Sequence, residues 1–293
     1  MKTIIKSLSN KIYLFFLLGR YHKPYGSFLL MWPCFWGVSF LNQISLIDLW
    51  HLTLLAFGSF IMRGAGCTIN DILDLKYDKK IERTRNRPLA SKKITISEAV
   101  FFLFIQLLLG LIILINFDAR TILISLSIIP LVFLYPLFKR FTFFPQVVLG
   151  IIFNWGIIVG FSCSNEFINI DIIYLYFAGV LLTIGYDTIY AFQDMKDDRK
   201  IGLKSLAIKI SKFPRFYLGL IYGFSSFLFC ISFFKNQGVN YLSIFLSISI
   251  FLFLLRQIKN FDIEDKQMLQ EQFVSNSFLG GLIFFGFLIA NYL

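Results

Sequence analysis

The sequence predicts an all-α, polytopic membrane protein. Only 15% of its 293 residues are charged and 57% are hydrophobic, whereas soluble proteins carry about 25% charged residues. Apolar stretches of about 18 residues or more recur along the chain, and each is long enough to cross the hydrocarbon core of a bilayer. Helices that share one bilayer pack as one bundle, so we expect a single integral-membrane domain over residues 1–293.

Nine apolar segments are expected to form transmembrane helices. They cover residues 25–45, 48–68, 98–116, 121–138, 144–163, 171–193, 214–234, 239–256 and 272–291. Lys and Arg precede the first segment and then fill every second loop, and such an excess marks the cytoplasmic side. The net charge of +11 is therefore mainly an orientation signal. It predicts anionic lipid and an anionic substrate as partners, and no nucleic acid.

The N-terminal segment begins with basic residues and a short apolar stretch, without a small-residue cleavage site. These features favour an interfacial amphipathic helix over a signal peptide. The lack of a long Arg- and Ser-rich leader predicts a bacterial inner membrane, with the N-terminus and the basic loops in the cytoplasm. The four cysteines are scattered, with no metal or disulfide spacing, and are interpreted as packing residues.

The first basic loop also carries a series of acids. Asn70 is followed by Asp71, Asp74 and Asp78, and spacings of three and four place these carboxylates on one face of a continuing helix. Arg63 lies seven residues before Asn70, on nearly the same face and deeper in the membrane. Like charges at these spacings repel one another unless something neutralises them, so the series indicates a bound cation.

A second acidic series lies in another basic loop. Asp194 and Asp198 are spaced i, i+4, Asp197 points to another face, and Asp187 lies two turns earlier inside an apolar segment. An ionisable group inside a membrane segment is costly and usually functional. Two sets of carboxylates on one side of the membrane, without His or Cys, predict Mg²⁺ as the bound ion.

Basic residues accompany both acidic series. Near the first they are Arg63, Lys76, Lys79, Arg83 and Arg87, near the second Lys200 and Lys204, and in the loop between them Lys139 and Arg140. Carboxylates that hold Mg²⁺, with bases around them, form the kind of site that a diphosphate requires. The sequence has no GxxxxGK[ST] motif, which argues against a P-loop nucleotide site.

At these residues the sequence resembles the UbiA superfamily of intramembrane aromatic prenyltransferases. Its two signatures appear at residues 70–78, followed by "ERTRNRPLASKKI", and as "YDTIYAFQDMKDDRKIGLKS" at 186–205. The stretches "RYHKPYGSFLLMWPCFWG" at 20–37 and "YPLFKRFTFFPQVVLG" at 135–150 are similar to the 4-hydroxybenzoate polyprenyltransferase branch. One departure is His22, where that branch usually has Asp.

The resemblance implies nine transmembrane helices around a central cavity and a role for each matching residue. The implied metal ligands and catalytic residues, which hold Mg²⁺ on a polyprenyl diphosphate, are Asp71, Asp74, Asp78, Asp194 and Asp198. The implied diphosphate contacts are Asn70, Arg63, Tyr135, Lys139 and Lys204. Arg140 is the implied partner of the carboxylate of an aromatic acid.

The implied reaction is a membrane step of ubiquinone biosynthesis. The allylic C1–O bond of the diphosphate breaks, the ring carbon ortho to the hydroxyl of 4-hydroxybenzoate attacks C1, and a ring proton is lost. Two alternatives stay open. A relative could use another aromatic acceptor, and a secondary transporter would also carry acids in a bundle, although nearer the bilayer midplane and with inverted repeats.

Overall fold

The computed structural model describes residues 2–40, 43–164 and 168–292, with side chains from Asn10 onward. The described residues form helices joined by turns, and no strand occurs among them. The helices are α1 Lys2–Leu18, α2 Tyr25–Ser39, α3 Leu46–Leu73, α4 Leu75–Asp78, α5 Ile96–Leu114, α6 Ala119–Ser127, α7 Ile129–Phe141, α8 Pro145–Ser162, α9 Ile170–Ala191, α10 Met195–Ile201, α11 Leu206–Ile210, α12 Pro214–Gln237, α13 Tyr241–Lys259 and α14 Lys266–Ala290.

The nine predicted segments each correspond to a helix or a pair of helices. Within the described ranges, eight helical segments have the length and apolarity to cross a membrane, with α6 and α7 counted together as Ala119–Phe141. The ninth, α2, has 15 residues and is about 22 Å long. Residues 41–42 of the predicted segment 25–45 lie outside the described residues. The predicted all-α class is confirmed, with one segment shorter than expected.

The short helix α2 lies in the centre of the bundle, where it packs on α3, α8 and α14. Its contact with α8 is close because a glycine of each helix faces the backbone of the other. A Cβ atom on Gly37 would overlap the carbonyl oxygen of Ile157, and one on Gly160 would overlap that of Cys34. Small residues of this kind allow helices to approach closely in membranes, so α2 and α8 form the rigid centre of the fold.

Buried polar side chains tie further helices to this centre. Asn154 of α8 donates a hydrogen bond to Thr183 Oγ1 of α9 at 2.8 Å. The indole of Trp36 in α2 donates to the carbonyl of Gly280 in α14, also at 2.8 Å. Hydrogen bonds between membrane helices contribute about 0.6 kcal/mol each on average, so their main effect here is to fix the register of α9 and α14.

The loops at the end of the bundle that carries the acidic series form a cap. Leu89 and Ile94, in the loop after α4, pack with Leu18 of α1 and Ala99 of α5. On the other side, α10 ends at Ile201 and is capped by Gly202, whose φ of 76° is the left-handed conformation that glycine adopts readily. The cap therefore brings the ends of α3 and α9 together, and these ends carry the two acidic series.

Candidate active site

The first acidic series lies where α3 ends. The sequence predicted one continuing helix, whereas α3 ends at Leu73 and Asp74 has φ −95° and ψ 6° before α4 begins. Asp71, Asp74 and Asp78 are nevertheless all buried, at 1%, 0% and 4% exposure. Because isolated carboxylates are costly to bury, each must be neutralised locally.

Two arginines neutralise Asp71 and Asp78. Arg20 Nη2 lies 2.6 Å from Asp71 Oδ1, and Arg87 Nη1 bridges Asp71 at 3.0 Å and Asp78 at 2.8 Å. Arg20 has a φ of 58°, a conformation that is strained for a residue with a side chain and is often found at functional sites. Burial raises the pKa of Asp78, although the charge of Arg87 opposes the shift.

The bases of α7 reach Asp74 from the other side. Lys139 Nζ pairs with Asp74 Oδ2, and Arg140 Nη2 donates to the carbonyl of Leu73 at 2.8 Å and lies 3.7 Å from Asp74 Oδ1. The Arg140 guanidinium also lies over the ring of Tyr77. Asp74 Oδ1 and Arg140 Nε are both buried without a hydrogen-bond partner in the described structure. Both therefore have capacity for a ligand.

The second acidic series is joined to the first by Arg83. Its Nε donates to Asp194 Oδ1 at 2.9 Å, and its Nη1 donates to the hydroxyl of Tyr190 at 3.0 Å. Asp198 is half-buried and accepts no side-chain hydrogen bond from the described residues. Burial and then the neighbouring charge of Asp194 raise the pKa of Asp198 to about 7. The loop after α4 thus connects the two acidic series.

Two further predicted contacts lie at the edge of this site. The backbone N–H of Lys204 donates to the carbonyl of Lys139 at 2.8 Å, while its ammonium donates to the carbonyl of Phe141 at 3.1 Å and lies over the ring of Phe143. Asn70 is half-buried, and its side chain makes no hydrogen bond in the part of the chain described. The acids therefore do not engage the Lys204 ammonium in this structure.

Arg63 and Tyr135 lie deeper than the acids, about two turns before Asp71 in α3 and one turn before Lys139 in α7. Arg63 Nη1 donates to Cys67 Sγ at 3.1 Å, and its guanidinium lies 5.6 Å from the ring centre of Phe153. A Cβ atom on Gly26 would lie 2.8 Å from Arg63 Nε, so α2 leaves room for this side chain. Tyr135 is half-buried.

Sequence reasoning did not place the arginines that contact the acids. Arg83 and Arg87 were expected only near the first series, and Arg20 was not expected to approach it. The available signal for Arg20 was its place in the motif at 20–37; its distance of 51 residues from Asp71 gave no spacing to interpret. Local composition indicated the other two, but not which carboxylate each would pair with.

The donor set suits a hard divalent cation, since it consists of carboxylate oxygens and includes no thiolate or imidazole. Among the described residues, no three His, Cys, Asp or Glu side chains are arranged to hold a metal ion. The bases occupy the carboxylates instead. Binding of a metal therefore requires those bases to move to another anion.

The chain is similar to known prenyltransferases over almost all its length. A model of the UbiA prenyltransferase family matches residues 30–287. The mitochondrial 4-hydroxybenzoate polyprenyltransferase of Aedes aegypti is 40% identical over 99% of this chain and 66% of the relative, and that of Drosophila melanogaster is 39% identical over 94% and 71%. 4-Hydroxybenzoate geranyltransferase 2 of Lithospermum erythrorhizon is 37% identical over 94% and 89%. The chain thus spans about two thirds of the length of the insect relatives.

Solved structures share the fold. The apo structure of a UbiA homolog from Aeropyrum pernix K1 has a TM-score of 0.75 at 21% identity and covers 92% of this chain and 98% of its own. A UbiA homolog from Archaeoglobus fulgidus bound to GPP and Mg²⁺ has a TM-score of 0.70 at 16% identity and covers 96% and 100%. These likenesses confirm a UbiA-like helical bundle.

The expected bacterial inner membrane is wrong. The Aedes and Drosophila relatives are mitochondrial by name, as are those of Arabidopsis thaliana and Rattus norvegicus. The expectation depended on the lack of an Arg- and Ser-rich leader. The insect relatives extend well beyond the matched region, so a leader's absence from these residues carries no information about the compartment. The multi-pass membrane character is unaffected.

Proposed function

This chain belongs to the UbiA prenyltransferase family, and from that membership we propose that it transfers a polyprenyl group from polyprenyl diphosphate to 4-hydroxybenzoate. The new bond forms at the ring carbon ortho to the hydroxyl, in a membrane step of ubiquinone biosynthesis. The observation that carries the proposal is the pair of acidic series, each already neutralised by bases and joined through Arg83 at one mouth of the bundle. The names of the relatives support the acceptor, and their compartment points to a mitochondrial membrane.

We assign the diphosphate site to this mouth. The residues that would hold Mg²⁺ are Asp71, Asp74, Asp78, Asp194 and Asp198. The bases Arg83, Arg87 and Lys139, which pair with these carboxylates here, would then be available to phosphate oxygens. The buried Asp74 Oδ1 that lacks a hydrogen bond supports this exchange, because a metal would complete its coordination. Asn70 and Lys204 flank the same space and serve as further contacts, with Arg63 and Tyr135 below.

The same bases promote departure of the diphosphate. Charge-assisted contacts from Lys139, Arg83 and Arg87 stabilise the negative charge that develops as the C1–O bond breaks. Bound Mg²⁺ supplies further positive charge to the leaving group. The rings of Tyr25, Tyr186 and Tyr190 surround Phe273, with ring centres 4.5–6.1 Å apart, and aromatic faces of this kind stabilise an allylic cation.

The acceptor acid is assigned to Arg140. Its Nε–H is buried without a partner in the described structure, and its contact with Asp74 is 3.7 Å long, so the guanidinium retains donors for a carboxylate. The tail length is not assigned, since one relative is a geranyltransferase and others are polyprenyltransferases.

Membranes that contain the protein, supplied with radiolabelled 4-hydroxybenzoate, Mg²⁺ and prenyl diphosphates from geranyl upward, test the proposal. We expect label in the lipid phase, and loss of this transfer with EDTA, with Asp71→Ala and with Asp194→Ala. Asp262→Ala, in an exposed loop on the same side, serves as the matched control and should retain activity. An intact protein that transfers no label from any diphosphate would exclude hydroxybenzoate as the acceptor.

A function as a secondary transporter has less support. Secondary transporters tend to carry their acids near the bilayer midplane, whereas the paired acids of this chain lie where α3 and α9 end. One carboxylate, Asp187, lies inside a membrane segment, and its position suggests a chemical role instead.

A further inference from the structure

Asp187 is a carboxylate inside the membrane that the proposed metal site does not use. It lies in α9, within the apolar segment Ile170–Ala191, and is half-buried. Buried charges in membrane segments are normally paired with one another or with backbone groups. Asp187 makes no hydrogen bond and no ion pair among the described residues, so its free carboxylate needs another explanation.

Asp187 lies on the same side of α9 as residues of the candidate active site. It precedes Tyr190 by three residues, a spacing that shares one side of a helix, and the Tyr190 hydroxyl accepts a hydrogen bond from Arg83, which also donates to Asp194. In α7, Tyr135 precedes Lys139, the partner of Asp74, by four residues and so lies about one turn deeper than the acids. Asp187 therefore lies on the side of α9 that leads towards the acidic series.

Its depth separates it from the diphosphate. Asp187 precedes Asp194 by seven residues on a helix that continues nearly to that residue, which corresponds to about 10 Å along the helix axis. Arg63 precedes Asp71 by eight residues in α3, which gives a similar depth of about 12 Å. A diphosphate held by the acids lies above this level. The acceptor, whose carboxylate is assigned to Arg140 at the same mouth, extends its hydroxyl end down towards Asp187, so the attacked ortho carbon lies between the two levels.

Stereochemistry then determines where the ring proton points. When the ring carbon bonds to C1, it becomes tetrahedral and carries the prenyl group on one face and hydrogen on the other. The prenyl group arrives from the diphosphate side, so the hydrogen faces away from it, towards the deeper part of the cavity. The diphosphate oxygens lie on the opposite side of the ring from this hydrogen, and the bases already bind them.

We propose that Asp187 is the catalytic residue that accepts this ring proton, an inference that rests on the proposed function. The C1–O bond breaks and its electron pair leaves with the diphosphate, while a ring π pair forms the new C–C bond. The C–H bond then breaks, its pair restores the aromatic ring, and the proton forms an O–H bond with a carboxylate oxygen of Asp187. No oxidant or other reactant is needed.

A kinetic isotope effect tests the assignment. 4-Hydroxybenzoate deuterated at both positions ortho to the hydroxyl is compared with the protonated acid in the wild type, in Asp187→Asn and in Asp187→Glu. The wild type is expected to show an isotope effect near unity, because ionisation is slower than proton loss. Asp187→Asn is expected to lose about 100-fold or more in rate and to show an effect of about two or more, because proton loss becomes limiting.

Controls separate this role from a structural one. Asp187→Glu keeps a carboxylate and should recover part of the rate with a smaller isotope effect, and Asp171→Asn, at the other end of α9, should match the wild type. Binding of a prenyl thiolodiphosphate with Mg²⁺ should be unchanged in Asp187→Asn, which shows that the variant is folded. If Asp187→Asn is slow but shows no isotope effect, or if it is as fast as the wild type, the inference about Asp187 is wrong and the proposed function still stands. An inactive wild type would overturn the proposed function and this inference with it.

Discussion

Arg20 combines an unfavourable backbone conformation with a side-chain contact at the candidate site. Its φ of 58° carries a strain of the order of 1–3 kcal/mol, and the guanidinium it positions reaches the almost fully buried Asp71. The motif at residues 20–37 identified the segment, but no spacing in the sequence linked it to the acids. Long-range pairing of this kind depends on how α1 and α2 join in three dimensions.

Arg87 is the residue whose loss should disturb the resting site most. It bridges two buried carboxylates, and removing one partner of a buried ion pair costs about 3 kcal/mol or more. We expect Arg87→Ala to lower the apparent Tm in detergent by several degrees. Arg85→Ala, two residues away on an exposed position of the same loop, should leave it unchanged, and equal melting of the two variants would contradict the role of the bridge.

At the level of the helix, the close contact of α2 with α8 predicts that a larger residue at this contact destabilises the protein. In Gly160→Ala the new Cβ meets the carbonyl oxygen of Cys34, which is backbone and cannot turn away. Overpacking of this kind costs about 1–3 kcal/mol, so thermal unfolding should occur at a lower temperature.

Gly223→Ala in α12 provides the matched control, since nothing lies within 4 Å of a Cβ built there. Because alanine is favoured over glycine in helices by up to about 1 kcal/mol, this variant should be as stable as the wild type or more so. A Gly160→Ala protein with unchanged Tm would show that α2 and α8 can separate freely.

The start of α6 makes a contribution to the stability of the protein that depends on pH. Asp118 accepts hydrogen bonds from the backbone N–H groups of Arg120 and Thr121. Burial opposes the shift, but these bonds lower the pKa of Asp118 below its ordinary value. A lowered folded pKa means that the stabilisation is present above the unfolded pKa, about 3.9, and is lost as the pH falls through the folded value.

Asp118→Ala should therefore cost about 1 kcal/mol near neutral pH, and its difference from the wild type should shrink below about pH 4. Tm values measured from pH 7 down to pH 3 give this difference directly. A difference that stayed constant with pH would show that the carboxylate charge plays no part in the cap.

Among the elements, helix placement was predictable because apolar length is read directly from the sequence. The break between α3 and α4 was not, since the spacing of Asp71, Asp74 and Asp78 is also that of an uninterrupted helix. The interruption depends on what Asp74 meets in space, namely the bases of α7. Local periodicity contains no information about such a partner.

At the level of the whole molecule, charge exchange at the mouth predicts that metal and diphosphate bind together. Mg²⁺ alone must displace the bases from the carboxylates. A diphosphate alone must draw the bases away and leave the carboxylates unpaired. Each ligand by itself should therefore stabilise the protein only weakly. Together they satisfy both sets. At about 100 times its Kd such a ligand pair stabilises by about 2.7 kcal/mol.

Tm measured with Mg²⁺, with a prenyl thiolodiphosphate and with both should therefore increase mainly in the third case. Asp74→Ala should abolish that increase, and Asp262→Ala should preserve it. Shifts that simply add would contradict the exchange. The role of each site residue, like the single domain over residues 1–293, stays a prediction.

The short central helix also has a consequence for how the protein responds to its bilayer. The least buried membrane helices are α5 and the α6–α7 segment, each with only 11% of its apolar stretch buried. At 19 residues, α5 is about 28 Å long, close to the hydrocarbon thickness. They bear any hydrophobic mismatch by tilting. Because α2 is enclosed by α3, α8 and α14, a thicker or thinner membrane acts on it only through these neighbours.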